Sequence, residues 1–473
     1  MKKYLITVLI LLAVFKTTAQ DSVVYNLKQC IDLALKNNLT VNMAELQMES
    51  NESRLQQARA ANLPSVSGYA NQGINQGKSI NPYTNTFINQ KINTGQYGIN
   101  ANMNLWSGFS NYNTMRQNAF TYQAGKMDWE QSKMDITISV MLAYLQVLSN
   151  EEQLNQAQSQ VEVIKQQVER LNTLDKNNAI SPSYLYDTKG QLANDKLNYI
   201  NTKASLASSK ITLGQLMNVN FPPTVKFEKI NVENEIKAYE TSNDVVYSEA
   251  SKNLPMIKAA EYRRLSAVKN VHASRGLLFP SLSLNGSVGT NYSDAALAQK
   301  LIGVTDAGTD NYVLVNNIPT TVYAPQYNFT NEKISFNSQF KNNLNSYVGL
   351  SLQFSIFNSL RTKTQITQSK ISNQQAEIRQ KNTTTALKSS IDQAHIDATS
   401  SYERYTILQE QVLDYSASFK IASSKFEKGA ITTVDYVIAK SNNDKAKMNL
   451  IASKYDYILK SKVLDYYNGK LPL

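Results

Sequence analysis

A ten-residue pattern written twice constrains this chain more than any other feature. The first copy is Ala58-Arg59-Ala60-Ala61-Asn62-Leu63-Pro64-Ser65-Val66-Ser67, and the second is Ser274-Arg275-Gly276-Leu277-Leu278-Phe279-Pro280-Ser281-Leu282-Ser283. Each closes a stretch with helical spacing and opens one with period-two alternation. Proline disfavours helix at the residue before it and is tolerated as the first residue of a strand. Pro64 and Pro280 are therefore read as helix-to-strand junctions. They lie 216 residues apart, so the chain is a tandem repeat.

The flanking segments repeat with the junctions. A helical stretch from Asn26 to about Arg59 aligns at the same offset with Ser242 to Arg275, where Ala34-Leu35-Lys36-Asn37 meets Ala250-Ser251-Lys252-Asn253. Four segments, about 64–74, 97–107, 280–290 and 346–357, alternate apolar and polar residues. In the second, Ile99, Ala101, Met103 and Leu105 oppose Asn100, Asn102 and Asn104. Segments of about ten residues with one apolar and one polar face are the weak signature of an outer membrane strand. Polar loops are expected over about 74–95 and 291–345, the second longer by the 35 residues that carry the repeat offset from 216 to 251.

Beyond the second strand of each pair the offset stays at 251. Residues 113–173 and 364–424 lack proline, and Gly125 is their only glycine. Leu154, Ala157, Val161, Ile164, Val168 and Leu171 keep 3,4 spacing, as do Tyr405, Leu408, Val412, Tyr415, Phe419 and Ala422. Such spacing marks a coiled-coil seam on a helix ~90 Å long. The seams end at matching turns, Asn178-Ala179-Ile180-Ser181-Pro182 and Gly429-Ala430-Ile431-Thr432-Thr433. Asn and Gly suit a left-handed helix end, and Ser or Thr suits the next N-cap. Return helices follow over about 183–217 and 434–468. The chain thus divides into a first repeat over 20–218, a linker over 219–241, a second repeat over 242–468 and a tail over 469–473.

Residues 1–19 read as a secretory signal. Lys2 and Lys3 are followed by an apolar run from Tyr4 to Phe15, too short to span a bilayer, and Thr17-Thr18-Ala19 suits cleavage. After this leader no stretch approaches the ~20 apolar residues of a membrane helix, so any span must be made of strands. The formal charge of +11 is spread along the helices with no nucleic-acid recognition motif, which excludes that class of partner. The single cysteine, Cys30, forms no internal disulfide and reads as a small core residue. His272 and His395 lie outside any metal-ligand spacing, and no phosphate loop or nucleophile elbow occurs. No enzyme, cofactor or metal is expected.

Four strands cannot close a barrel, and open edges in lipid leave backbone groups unpaired. Several copies must contribute. Two would give eight strands with an interior filled by side chains; three would give twelve. Twelve strands ~4.8 Å apart and tilted ~40° make a circumference of ~75 Å around a wet bore, which Asn100, Asn102 and Asn104 would line.

The two helix–proline–strand junctions, the Leu-Trp-Ser-Gly-Phe and Ile-Phe-Asn-Ser-Leu strand ends, and the Gly-Ala-Ile-Thr-Thr-Val-Asp turn resemble the TolC family of outer membrane efflux proteins. The likeness spans nearly the whole mature chain. It implies a mixed α and β membrane protein in the outer membrane of a Gram-negative bacterium. In it, four antiparallel strands per chain enter a trimeric 12-stranded barrel, continued by a long periplasmic α-helical coiled-coil barrel. It also implies a passive conduit for efflux or type I secretion, a homotrimer in outer membrane lipid that docks a periplasmic adaptor (membrane fusion) protein and, through it, an inner-membrane RND or ABC pump. The competing readings are an exported coiled-coil structural protein and a periplasmic adaptor; neither explains paired amphipathic strands between the helices.

The resemblance also suggests sites. The family closes its periplasmic end with aspartate rings. Asp435 falls on the first ring position, while Ile438 replaces the second and Asp187 is its first-half equivalent. Rings of Asp435 and Asp187 would favour cations; the alternative is carboxylates that only stabilise helix starts. Ala179, Ile180 and Ser181, with Gly429, Ala430, Ile431 and Thr432, are the expected adaptor-docking tips, against the alternative of plain helix reversals. Trp106 reads either as an interface anchor or as core packing.

Overall fold

The computed structural model describes residues 24–80, 85–222, 224–230 and 236–470. The expected leader over 1–19 lies outside the described residues, as do the last three residues of the tail. The elements run β1 (Val24–Tyr25), α1 (Leu27–Asn37), α2 (Leu39–Ala60), β2 (Ser65–Asn75), β3 (Lys78–Ile80), β4 (Phe87–Asn89), β5 (Ile92–Trp106), α3 (Ser110–Lys176) and α4 (Pro182–Met217). The second half continues with β6 (Lys226–Phe227), α5 (Asn243–Asn253), α6 (Pro255–Gly276), β7 (Ser281–Ser293), β8 (Leu297–Val315), β9 (Ile318–Lys333), α7 (Phe336–Asn342), β10 (Asn345–Gln353), α8 (Arg361–Glu427) and α9 (Thr433–Tyr467). Two compact units form. One takes the described residues up to Ser53 with Asn118–Ala267 and the chain from Ser372 onward; the other takes Arg54–Gln117 and Val268–Ile371.

The first unit is helical, and its two halves bury equivalent positions. Cys30 and Ala34 of α1 are buried with Val140 of α3 and Leu213 of α4; Val246, Ala250, Ile391 and Leu464 are their counterparts. Burial pushes the Cys30 thiol up to about 12, as befits a core residue. The 3,4 seam of α3 is real: Ala157, Ile164 and Leu171 are fully buried and the alternate seam residues half-buried. In α8 the equivalent seam is shallower, with only Tyr405 buried. Each long helix has 67 residues, ~100 Å at ~1.5 Å per residue.

Two expectations change here. The stretch read as one helix from Asn26 to Arg59 is broken at Asn38, and its repeat at Leu254; both residues are extended, with ψ of 127° and 129°. Asn38 Oδ1 accepts from the Thr40 and Val41 N–H groups at 2.8 and 3.4 Å, capping α2, and its amide donates to Leu216 O at 2.8 Å. At the equivalent place Pro255 opens α6, removing a donor that would otherwise need a partner. Periodicity passes smoothly through both breaks, so only the cap chemistry shows them. Described residues of the segment read as a linker, 219–241, likewise pack into the core. Val225 and Phe227 are buried, β6 pairs in parallel with β1, and the Tyr144 hydroxyl donates to Glu228 O and Tyr25 O at 2.7 and 3.1 Å.

The second unit holds a four-stranded antiparallel sheet in the order β10-β7-β5-β2. Chain reversal at each junction is the same: Leu63 N–H bonds Ala60 O, and Phe279 N–H bonds Gly276 O, just before Pro64 and Pro280. Where the returning strands leave the sheet, beside these junctions, Gly108 and Phe109 have φ of 61° and 64°, and Ser359 and Leu360 have 55° and 63°. These paired left-handed residues turn each returning strand into its long helix.

The two regions expected to be loops are mostly strand. The first contains the β3–β4 hairpin, and β5 starts at Ile92 rather than near 97. The second contains the long β8–β9 ribbon and the short α7. Their Thr, Tyr, Val and Asn alternate well enough for strands, but their polarity reads as loop. Conversely, β10 stops at Gln353 although apolar alternation runs on to Phe357. Its last partner is Ser281, and Pro280 beyond it has no N–H to offer.

Candidate functional site

The sheet carries the chemistry of a wall. Its register aligns like with like across four strands. Val66, Ala101, Gly286 and Val348 form one row, and Met103, Leu284 and Leu350 another. On the opposite face Ser65, Asn102, Asn285 and Gly349 form one row, and Ser67, Asn100, Ser287 and Tyr347 the next. Asn102 Nδ2 donates to Asn285 Oδ1 at 2.5 Å along the polar rows. The apolar rows have no cover in the described chain: Val348 is 78 % exposed and Leu350 66 %. Trp106 packs edge-on against Phe109 and Phe279, with centroids 6.4 and 6.5 Å apart, so it closes the strand-to-helix corner.

The expected tip residues of the helical unit fall in two turns, and Asp187 and Asp435 in the helices that follow them. Asn178 and Gly429 are the left-handed residues, with φ of 50° and 72°. Ala179 N–H then bonds Leu174 O at 2.9 Å, and Ala430 N–H bonds Lys425 O at 2.8 Å. Both helix ends are thus closed in the same Schellman manner. Ile180 and Ile431 are half-buried, while Ser181 and Thr432 stand at the N-caps of α4 and α9.

The two caps differ. The Asp435 N–H donates to Thr432 Oγ1 at 3.2 Å, and the Thr432 N–H and hydroxyl donate to Asp435 Oδ2 at 3.2 and 2.7 Å. These bonds hold the exposed Asp435 carboxyl below its usual range. Ser181 makes no side-chain cap; its hydroxyl lies 3.0 Å from that of Ser183. Asp187 is exposed on α4, in the second turn of the helix.

Periodicity did not reveal an ionic cluster between α4 and α9. Lys440, 1 % exposed, donates to Asp195 Oδ2 at 2.7 Å and to Asp444 Oδ2 at 2.5 Å. Gln191 donates to the other Asp195 oxygen at 2.7 Å. Burial first, and the Asp195 carboxylate next, raise the Asp444 carboxyl above its usual range, opposed by Lys440. The Lys440–Asp444 spacing of one helical turn was visible in the sequence; Asp195, 245 residues away, was not. Tyr436 stacks on Phe426 at 4.6 Å, and burial pushes its hydroxyl up to about 12.

Among the described residues no group of three or more His, Cys, Asp or Glu could hold a metal, and no helix is long and apolar enough to cross a membrane.

The sequence model of the outer membrane efflux protein family matches residues 30–219 and 246–469, one segment for each repeat. The chain belongs to that family. This efflux protein is thus a component of an outer membrane channel, with a large periplasmic helical part. Its fold class is that of trimeric channels in which each chain gives four strands to a 12-stranded barrel and its long helices to a helical barrel.

Among solved structures, the CmeC outer membrane channel of Campylobacter jejuni is similar at a TM-score of 0.75 and 18 % identity, over 94 % of this chain and 86 % of that one. The outer membrane protein VceC of Vibrio cholerae is similar at 0.73 and 14 % identity, over 93 % and 96 %. The open state of the MtrE outer membrane channel of Neisseria gonorrhoeae is similar at 0.72 and 16 % identity, over 94 % and 88 %. Among curated proteins no sequence matches.

Proposed function

We propose that three copies of this chain form a passive duct from the periplasm to the outside, joined by a periplasmic adaptor to an inner-membrane RND or ABC pump that supplies the energy. One observation carries the reading: among the described residues β10 pairs only with β7 and β2 only with β5, beneath an apolar face with no cover. In lipid both open edges need strands from neighbours, and twelve strands leave a wet bore where eight would not. The polar Asn and Ser rows then line the bore. Substrate passes along hydrated walls, and nothing in this wall drives it.

The tip turns at Ala179–Ser181 and Gly429–Thr432 are the adaptor-docking surface in this reading. Three copies of Asp435, with three of Asp187, narrow the periplasmic entrance and favour cations. The cap occupies Asp435 Oδ2, and Oδ1 takes no part in it. The same carboxylate can therefore order its helix and face the bore.

Extraction from outer membranes in detergent tests the assembly. The expected result is a heat-labile trimer that forms conducting pores in planar bilayers; a soluble monomer overturns the reading. Asp435→Ala tests the entrance. Cation preference should fall, and an unchanged reversal potential removes the ring.

A further inference from the structure

The β8–β9 ribbon is an element that neither the repeat nor the barrel requires. It accounts for the 35 residues by which the second strand connection exceeds the first. Its root is fixed. Gln339, fully buried, accepts from the Ser293 N–H at 2.9 Å and donates to Ser293 O and Ile334 O, each at 2.8 Å. Asp294 and Asn93 exchange bonds at 2.8 and 3.1 Å, tying the root to β5. Between Lys300 and the second irregularity, at Gly308–Tyr312, the ribbon is amphipathic; toward the tip both faces carry apolar residues. The pairs Leu301–Phe329, Val304–Tyr327, Gly308–Tyr323 and Tyr312–Thr321 share one face, and Lys300–Thr330, Gly303–Asn328 and Thr305–Gln326 the other. Leu301, Val304, Tyr312, Tyr323, Tyr327 and Phe329 are 47–68 % exposed, so the chain's own described residues do not cover this face. A two-stranded ribbon is marginal by itself and needs such cover.

The face also specifies what covers it. Asp306, paired with Pro325, lies in the middle of the apolar stripe, and Asp310 follows in the adjacent irregularity. From Leu301 to Asn331 there is no basic residue. Lipid tails would strand the Asp306 carboxylate, and anionic headgroups would repel it. The occupant must bring a cation in an apolar setting.

The β3–β4 hairpin has that character. From Asn62 to Trp106, the span of the first strand pair and its connection, the chain carries two charges, Lys78 and Lys91. Lys78 Nζ lies 5.3 Å from the centroid of the Phe87 ring, with Ile80 and Phe87 both exposed. Topology brings this hairpin to the ribbon of another copy. β2 and β7 run in the same direction, so both connections leave the sheet at one end. The order β10-β7-β5-β2 puts the ribbon at one edge and the hairpin at the other. Ring closure seats β10 of one copy beside β2 of the next.

We propose that the apolar face of the β8–β9 ribbon docks on the β3–β4 hairpin of the neighbouring copy, with Asp306 paired to the neighbour's lysines, so that each ribbon straps one seam of the barrel from outside the membrane. This inference rests on the trimer proposed above.

The test is crosslinking of full-length protein in outer membranes. Asp306→Cys and Lys78→Cys are combined and treated with a short bismaleimide; the buried Cys30 serves as the background control. Covalent dimers and trimers that survive boiling are expected, with neither single variant giving them. A crosslink confined within one chain, a crosslink only to a different polypeptide, or no crosslink while unboiled samples still run as trimer overturns the strap and leaves the trimer standing. Absence of trimer in unboiled samples removes both. In a second arm, Asp306→Lys should lower the temperature at which the trimer dissociates in detergent, and Lys78→Glu with Lys91→Glu should restore it. An unchanged temperature, or quenching of a Tyr323→Cys bimane label by spin-labelled lipid, also overturns the strap.

Discussion

The Lys440 ammonium reaches the Asp195 carboxylate at 2.7 Å with 1 % of the lysine side chain exposed, and so ties α9 to α4 across 245 residues of sequence. A buried pair is weak support for stability in itself, but removing one partner leaves an uncompensated buried charge. Lys440→Met is therefore expected to destabilise the helical unit by about 3–5 kcal/mol. Replacing Lys440, Asp195 and Asp444 together by apolar residues should recover most of that loss. Denaturant unfolding followed by the helical circular dichroism signal measures both.

Asp444 makes stability depend on pH. Its carboxyl is raised above the ordinary 3.8, chiefly by burial. The folded chain therefore holds this proton more tightly than the unfolded one. The contribution is complete below the ordinary value and lost as pH rises through the folded value. As pH rises from the ordinary value through the raised one, the melting temperature of the wild type should fall relative to Asp444→Asn. Parallel profiles would show that Lys440 fully offsets the burial. Asp435 has the opposite sign: its cap strengthens above the ordinary value and is lost as pH falls through the lowered one.

Leu350 stands in the row with Leu284 and Met103 on the uncovered face of the sheet. An arginine there is expected to cost about 2–4 kcal/mol at the middle of the bilayer, and less toward its edges. Leu350→Arg should sharply reduce recovery in the outer membrane. Asn102→Lys, on the polar face, should insert normally and shift the single-channel reversal potential toward anions.

Gly276 and Gly108 touch backbone to backbone at the strand-to-helix corner. A Cβ on Gly276 would lie 2.7 Å from Gly108 O and 2.8 Å from Ser110 N. Gly276→Ala should cost about 1–3 kcal/mol through overpacking, read as a lower trimer dissociation temperature. Gly108→Ala adds the strain of φ at 61° and should be the more severe.

Asn38 supplies the cap that its counterpart Leu254 obtains from the following proline. Asn38→Ala is expected to cost about 1–2 kcal/mol in thermal unfolding. Adding Leu39→Pro, which copies the Leu254–Pro255 solution, should return about 0.4–1 kcal/mol.

The sequence alone determined what neighbouring residues can decide. Pro64 and Pro280 end helices because proline restricts the residue before it. Asn178 and Gly429 end others because they tolerate left-handed backbone. The 3,4 seam and the strand alternation follow from periods of the backbone itself, so the two-fold repeat and its wall of paired strands were legible in one dimension. Only the tertiary structure decided where pairing starts and stops. Phe354 to Phe357 alternate like a strand yet have no ladder, since Pro280 ends the strand beside them. The 291–345 stretch is polar yet holds a ribbon, because its two strands satisfy each other's backbone. Lys440 looks like a surface residue until Asp195 arrives from the other hairpin. Except in the ribbon, whose strands are joined by Asn316 and Asn317 alone, the decisive partner is far away in sequence, and no local propensity records its position.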